Sequence, residues 1–188
     1  LEPKVMARYK QLEKEMFLAI DEDGGELTPM NAGARYNACR QLASGGVYDA
    51  DDKTKVHEIH NSKADAVQDI VEELQGKPVL IAFQYRHELE RLRKIWKKLP
   101  SIDGRTKPKE ADRLFVKWNA GELPLLAVQP KSLSHGVNLQ SGPGRDIIWT
   151  CLSDSLEDYQ QLNARLHRQG VTGQVRIHRI TARDSVDE

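Results

Sequence analysis

Two arginines and a glutamine, spaced three and four residues apart, are the side chains of this sequence best suited to chemistry. Gln161, Arg165 and Arg168 belong to a segment whose apolar spacing predicts a helix over about residues 155–167, and this spacing places them on one helix face. Two guanidinium groups on one face can clamp the distributed negative charge of a phosphoryl group in transfer. Basic residues near a helix C-terminus also simply stabilise the helix dipole, and the spacing alone leaves both interpretations open.

Two loops carry further candidates. The segment 129–139 is long and polar, and Gly136 within it lets the backbone approach a ligand closely. Backbone amides and small hydroxyls are the groups that phosphate oxygens require. A second loop, 102–108, contains Asp103 followed by Gly104, a turn signal found in any kind of protein. Each loop taken alone is equally well explained as a plain connection.

The elements around these candidates alternate between strand and helix. Short apolar runs predict buried strands, an alternating segment predicts a half-covered strand, and helical patterns lie between them. The predicted strands fall near residues 78–83, 101–102, 123–128, 146–150 and 175–180. Such alternation predicts an α/β fold with a doubly wound parallel sheet, in which ligands bind at the carboxyl ends of the strands.

The N-terminal third shows helical patterns without the apolar runs that predict strands. Apolar spacing predicts helices near residues 5–20 and 28–42, with turn-forming and polar stretches between and after them. A third helical pattern begins at residue 62, so roughly residues 1–76 form a helical extension before the alternating strands and helices.

Composition restricts the class of protein. The 28 basic and 28 acidic side chains give a formal net charge of +0, so any contact with nucleic acid must come from local patches. Cys39 and Cys151 have no metal-type spacing and the six histidines form no known cluster, so we expect reduced thiols in a cytoplasmic protein and no bound metal. No apolar run has the ~18–20 residues of a membrane helix, and the missing initiator Met indicates a piece of a longer chain.

No phosphate-binding loop of the G-x-x-x-x-G-K-S/T type occurs in the sequence. Gly76-Lys77 is followed by Pro78 and lacks the upstream glycine, so it is not such a loop. Asp21 and Glu22 look like the acidic pair of a Walker B motif, but they end a helical pattern rather than a strand. A self-contained nucleotide enzyme would also need a glycine-rich turn after its first strand, and 83–87 has none.

The order and spacing of four segments resemble the C-terminal RecA-like lobe of Swi/Snf-type superfamily 2 DNA helicases and translocases, in the style of short phage-type members. The resemblance covers about residues 62–188 and is most specific at 161–170, which is similar to motif VI. It implies a C-terminal RecA-like lobe over 62–188 and a helical extension or inter-lobe segment over 1–61. The loop 129–139 departs from the family at Gln129-Pro130, where Ser-Thr is usual, which puts its backbone phosphate contacts in doubt. The four segments are 77–85, 102–106 with Arg113 and 115–119 downstream, 136–139, and 161–170.

The resemblance implies a role for each matching residue. Arg168 would be the arginine finger that reaches ATP held by another lobe, Arg165 would contact phosphates or the DNA-coupled network, and Gln161 would couple the two. Gly136 and Asn138 would line the nucleotide cleft together with both arginines. The residues implied to lie toward DNA are Gln84, Tyr85, Gly104, Arg105, Lys131, Ser132 and Ser134.

The resemblance also implies partners and cofactors. The full-length parent would use ATP and Mg²⁺ and would contact duplex DNA without sequence preference, in a bacterial or phage-infected cell. The present chain would bind neither cofactor alone and would not hydrolyse ATP, because the lysine and Mg²⁺ ligand belong to an N-terminal ATP-binding lobe of the same parent. The alternative is a non-catalytic helicase-like module that binds nucleic acid or protein, and a P-loop upstream of Leu1 would distinguish the two.

Overall fold

The computed structural model describes residues 1–21, 29–49, 52, 54–133 and 138–188. Six helices and seven strands follow one another along these residues. In chain order they are α1 (Pro3–Asp21), α2 (Pro29–Ala43), β1 (Gly46–Tyr48), β2 (Val56–Glu58), α3 (Ser62–Glu73), β3 (Val79–Ala82), α4 (Arg86–Ile95), β4 (Ser101–Ile102), α5 (Pro108–Asn119), β5 (Leu125–Val128), β6 (Asp146–Trp149), α6 (Leu156–Leu166) and β7 (Arg176–Arg179). Among the described residues, no helix has both the length and the apolar character required to cross a membrane.

The chain forms two compact units. The first comprises residues 1–63 together with 181–188, and the second comprises residues 64–180. The assignment of 1–61 and 62–188 as domains stays a prediction.

The first unit contains α1, α2 and a short antiparallel hairpin. The sequence pattern predicted the two helices but not the hairpin, in which Gly46 pairs with Glu58 and Tyr48 with Val56. Gly45 makes the hairpin's entry turn with a φ of 100°, and its carbonyl accepts hydrogen bonds from Ile59 N and His60 N. The buried core of this unit consists of Tyr9, Cys39, Leu42, Ala43 and Ala182.

The second unit is built on a five-stranded parallel sheet in the order β4-β5-β3-β6-β7. Val79 at the start of the central strand lies beside Leu125 on one side and Asp146 on the other. The predicted α/β fold with a doubly wound parallel sheet is thereby confirmed. All five strands end at one edge of the sheet, the carboxyl edge, where the loops with candidate residues begin.

Helices cover both faces of this sheet, which explains why its inner strands are apolar without alternation. Along β3, Val79 and Ile81 join a core with α3 and α4, while Leu80 and Ala82 join a core with α5 and α6. All four side chains have 0% exposure. Helices α4, α5 and α6 each connect two parallel strands across a face of the sheet, and these crossovers place the loops that follow the strands at the carboxyl edge.

Candidate functional site

The turn after β3 holds two of the predicted DNA-facing residues in a fixed conformation. The carboxylate of Glu88, in the first turn of α4, accepts hydrogen bonds from Gln84 N at 2.9 Å and Tyr85 N at 2.8 Å. Its other oxygen accepts a hydrogen bond from the Thr150 hydroxyl at 2.8 Å, at the end of β6. Glu88 is 4% exposed, so one buried carboxylate orients the turn relative to the sheet.

The loop after β5 is tied to this turn through Gln129. Its side-chain amide donates to the Gln84 carbonyl at 3.1 Å, and its oxygen accepts a hydrogen bond from the Ser132 hydroxyl at 3.1 Å. Gly104 lies next to Ser132, since a Cβ built on this glycine would stand 3.8 Å from the serine hydroxyl oxygen. Three of the predicted DNA-facing residues, from three different loops, are therefore close together at the carboxyl edge.

The turn after β4 is stiffened by an ion pair between Asp103 and Arg105. Hydrogen bonds from the Arg105 guanidinium hold the pKa of Asp103 below its usual range. The Thr106 hydroxyl accepts from Asp103 N at 3.0 Å and closes the turn. This turn borders an open cavity of about 210 Å³ whose wall also includes Phe83, Arg86 and Gln129.

The segment that starts at Asn138 is held by two helices. At the end of α5, Asn119 donates to the Asn138 carbonyl at 2.9 Å, and Trp118 donates its indole N–H to the Leu139 carbonyl at 3.1 Å. Leu139 N in turn donates to the Arg165 carbonyl, in the last turn of α6, at 3.3 Å. The end of the long polar loop is therefore fixed directly to the helix that carries the candidate arginines.

Helix α6 begins at a capped N-terminus and is held to the sheet by a buried polar contact. The Ser155 hydroxyl accepts from Asp158 N at 3.1 Å and so caps the first turn of the helix. Inside the unit, Trp149 donates its indole N–H to the Asn163 side chain at 3.0 Å, and Asn163 is 8% exposed. Gln161 donates to Glu157 on the outer side of the helix at 2.7 Å. A buried polar contact thus sets the rotation of α6 about its axis.

The structure corrects one feature of the arginine arrangement. Helix α6 ends at Leu166 and His167 leaves the helical conformation, so Arg168 does not share a helix face with Gln161 and Arg165. Arg168 is exposed and sits in a turn, with its carbonyl accepting from Val171 N at 3.2 Å. The spacing rule failed because it assumes that the helix continues two residues beyond its actual end.

The remaining predicted residues are placed as follows. Lys131 and Ser132 belong to a 3₁₀ turn, Pro130–Ser132, that packs against α6. Ser134 and Gly136 lie outside the described residues. The functional roles of all these side chains stay predictions.

Sequence reasoning missed Glu88, Gln129 and Asn163 as organising residues. A signal for Glu88 existed, because an acidic residue three positions after a helix N-cap is half of a capping box, and Tyr85 occupies that cap. Gln129 stood out only as a departure from a family pattern. Asn163 gave no local signal, because its partner Trp149 is fourteen residues away.

Comparison with known proteins agrees with this geometry. Residues 62–170 match the family described as Helicase conserved C-terminal domain. A putative protein p41 of Acyrthosiphon pisum secondary endosymbiont phage 1 is 39% identical over 193 residues, covering 100% of this chain and 40% of that protein. A DNA 3'-5' helicase XPB of Kineococcus radiotolerans is 28% identical over 138 residues, covering 73% of this chain and 24% of that protein. The chain thus spans less than half the length of these relatives.

Two solved structures share the fold. The C-terminal part of the Fun30 ATPase domain aligns with a TM-score of 0.59 and 20% identity, over 95% of this chain and 62% of that one. The Sulfolobus solfataricus SWI2/SNF2 ATPase core, solved in complex with dsDNA, aligns with a TM-score of 0.67 and 21% identity, over 95% of this chain and 38% of that one. The resemblance drawn from the sequence motifs is confirmed.

Proposed function

This chain belongs to the helicase conserved C-terminal domain family, and from that premise we propose that it is the second lobe of a DNA-stimulated ATPase that moves along duplex DNA. In this proposal the carboxyl edge of its sheet faces ATP held by an N-terminal lobe of the same parent. Closure of the two lobes around ATP brings the arginines of this chain to the nucleotide, and the cycle of opening and closing moves the lobes along DNA.

The observation that carries the proposal is the hydrogen bond of 3.3 Å between Leu139 N and the Arg165 carbonyl. It joins the loop that we assign to the nucleotide and DNA path with the helix that we assign to phosphate contact. The 3₁₀ turn that contains Lys131 packs on the same helix. A shift of the loop on DNA therefore displaces α6, which is the coupling that a DNA-driven ATPase needs.

Arg168 suits the role of an arginine finger. It is exposed and stands beyond the end of α6 in a turn, where Gly170 has a φ of 93°. Among the residues that the structure describes, its guanidinium takes part in no ion pair. An exposed, uncommitted guanidinium can move to a charge that develops on another lobe without first breaking a contact.

The chemistry we assign to the parent is hydrolysis of the terminal phosphoanhydride bond. Water forms a bond to the γ-phosphorus while the bond to the β–γ bridging oxygen breaks, and negative charge accumulates on that leaving oxygen and on the γ-phosphoryl oxygens. Arg168 donates hydrogen bonds to these oxygens. The hydrogen bonds are stronger in the transition state than in bound ATP, and this difference accelerates the reaction. Arg165 is assigned to the nucleotide phosphates or to the coupling between nucleotide and DNA.

In this proposal the magnesium ion is bound by the other lobe. Within the described part of the chain, no group of His, Cys, Asp and Glu side chains is arranged to hold a metal ion. The described residues include arginines that suit the phosphate end of ATP, but they offer no cluster of ligands for Mg²⁺. We therefore expect the isolated chain to show no ATP hydrolysis.

The test is DNA-stimulated ATP hydrolysis by the full-length parent carrying Arg168→Ala. We expect turnover to fall at least about 100-fold, because loss of an arginine finger costs 10³–10⁵ in rate in related chemistry. Arg168→Lys should stay strongly impaired, since an ammonium cannot reproduce the two-pronged guanidinium contact. Lys117→Ala, which removes an exposed cation from α5, is the matched control and should keep wild-type turnover.

Two results would contradict the proposal. Wild-type parent without any ATP hydrolysis, with or without duplex DNA, would leave the non-catalytic binding module as the better assignment. Normal turnover in a folded Arg168→Ala protein would show that the transition-state contact comes from another residue.

A further inference from the structure

Strand β7 forms one border of the parallel sheet, and its outer side has no neighbouring strand among the described residues. Arg176 N donates to the Arg145 carbonyl at 2.8 Å and Ile180 N donates to the Trp149 carbonyl at 3.0 Å, both on the β6 side. Backbone groups of successive residues point to opposite sides of a strand. The N–H and C=O groups of Ile177 and Arg179 therefore point away from the sheet, ready to pair with an added strand.

An apolar cavity of about 390 Å³ lies beside this free edge, between β7 and α6. Ile177 lines it and is 42% exposed, which is a large apolar side chain left in contact with water. The other side chains that form the cavity belong mainly to α6 and to the segment before β7. They are Tyr159, Ala164, His167 and Val175, together with the polar side chains of Gln160 and Asn163.

The same edge is basic. Arg176 and His178 point to the opposite face of the sheet, where both contact the buried carboxylate of Asp146 at 2.8 and 3.0 Å. Arg179 shares the face of Ile177, since side chains two apart on a strand lie on the same side. Arg179 is exposed and forms no ion pair within the described residues. An unpaired cation thus stands two residues from the apolar cavity.

We propose that β7 is a docking strand for an extended segment of a partner protein that carries an apolar residue and, two positions along, an Asp or Glu. The partner's backbone pairs with the outward-facing groups of Ile177 and Arg179, its apolar side chain enters the cavity beside Ile177, and its carboxylate meets Arg179. Main-chain pairing supplies affinity and the two side chains supply selectivity. The cavity shares α6 with Gln161 and Arg165, but Ile177 and Arg179 are not among the residues assigned to ATP and DNA.

Charge decides between this occupant and a second copy of the chain. Antiparallel pairing of two β7 strands through the outward-facing groups of Ile177 and Arg179 would set Ile177 of each copy opposite Arg179 of the other. A carboxylate opposite an arginine stabilises a pair of strands, whereas an apolar side chain there does not supply a counter-charge. An acidic partner therefore pairs with the exposed charge of Arg179, and a second copy leaves that charge unbalanced.

The experiment uses the full-length protein and two fluorescent peptides of ten residues, built from Ser and Thr around Leu-Thr-Glu or Leu-Thr-Lys. Fluorescence anisotropy should show saturable binding of the Glu peptide and about fivefold weaker binding of the Lys peptide, a ratio expected for gaining or losing an exposed ion pair. Arg179→Glu should reverse that order. Ile177→Thr, which keeps a β-branched side chain, should weaken both peptides about tenfold through lost apolar contact, while Lys109→Glu on α5 should change neither.

Amide hydrogen exchange locates the bound peptide. Ile177 and Arg179 should gain protection when the Glu peptide binds, and Arg176 and His178 should change little because their amides already pair with β6. Equal affinity of the two peptides for wild type, or an unchanged preference in Arg179→Glu, would overturn the proposal. So would a dimer in sedimentation that Ile177→Thr dissociates, because a second copy would then occupy the edge. None of these readouts depends on ATP or DNA.

Discussion

Replacing Glu88 with alanine should weaken the carboxyl edge by an amount that follows from its contacts. The substitution removes the acceptor of Gln84 N at 2.9 Å and of Tyr85 N at 2.8 Å, two partly buried backbone donors. Each buried donor without a partner costs about 1–3 kcal/mol. Water can reach both amides in part, so the low end applies, and the free energy of unfolding should fall by about 2–3 kcal/mol.

Glu88→Gln is the matched control because it keeps the acceptor. The amide oxygen can take the place of the oxygen that both backbone N–H groups contact. The amide nitrogen then faces the Thr150 hydroxyl, which can donate instead to the Ala82 carbonyl 3.1 Å away. All donors keep a partner, so the free energy of unfolding should fall by no more than about 1 kcal/mol.

Urea denaturation followed by circular dichroism measures these differences, and amide exchange at residues 84 and 85 shows whether the turn itself loosens. If Glu88→Ala were as stable as wild type, the carboxylate would not be what orders the turn. If Glu88→Gln lost as much as Glu88→Ala, the negative charge rather than the acceptor geometry would be responsible.

Two further predictions concern the first unit. The Lys63 ammonium lies 2.6 Å from the Asp187 carboxylate, and both side chains are 6% exposed. Asp187→Ala should therefore lower the free energy of unfolding by about 3–5 kcal/mol, because it leaves a buried charge without its partner. Urea denaturation should show that the double variant Lys63→Met with Asp187→Leu recovers most of that loss. Burial raises the pKa of Tyr9 from 10.0 to about 12. The stability that this pKa difference gives to the folded state is fully present below pH 10 and is lost as pH rises toward 12. Tyr9→Phe should therefore show a shallower loss of stability between pH 10 and 12 than wild type, and equal slopes in the two proteins would contradict the shift.

The sheet could be predicted from the sequence because burial on both faces leaves a local trace. Every side chain of β3 and of β5 is buried, and Leu80 and Ile81 serve different cores although they are adjacent. Such strands read as short continuous apolar runs, which a linear pattern detects without knowledge of the partners. The hairpin β1–β2 left no such trace, since each strand has three residues and Glu58 and His57 are exposed.

The site was harder to predict because its ordering contacts join distant residues. The Arg165 carbonyl, near the helix end, takes its hydrogen bond from Leu139, 26 positions earlier, and Gln129 reaches back to Gln84, 45 positions earlier. Motif order located the loops correctly, but nothing local to a loop records which side chain of another loop it contacts. The sequence also placed Arg168 on the helix face, because apolar spacing does not fix the residue at which a helix ends, while the structure ends that helix two residues before it.

The charge distribution limits what this lobe can contribute to DNA binding. Its formal net charge is +0, and at the carboxyl edge the charge of Arg105 is already balanced by Asp103. Gln84, Gly104 and Ser132 are neutral, so their contacts with phosphate oxygens would be hydrogen bonds that fix position but neutralise no phosphate. If the proposed function holds, long-range attraction to DNA comes mainly from exposed cations such as Lys131 and from the other lobe. This lobe then contributes contacts that fix position, and the affinity that keeps the parent on DNA originates largely outside it.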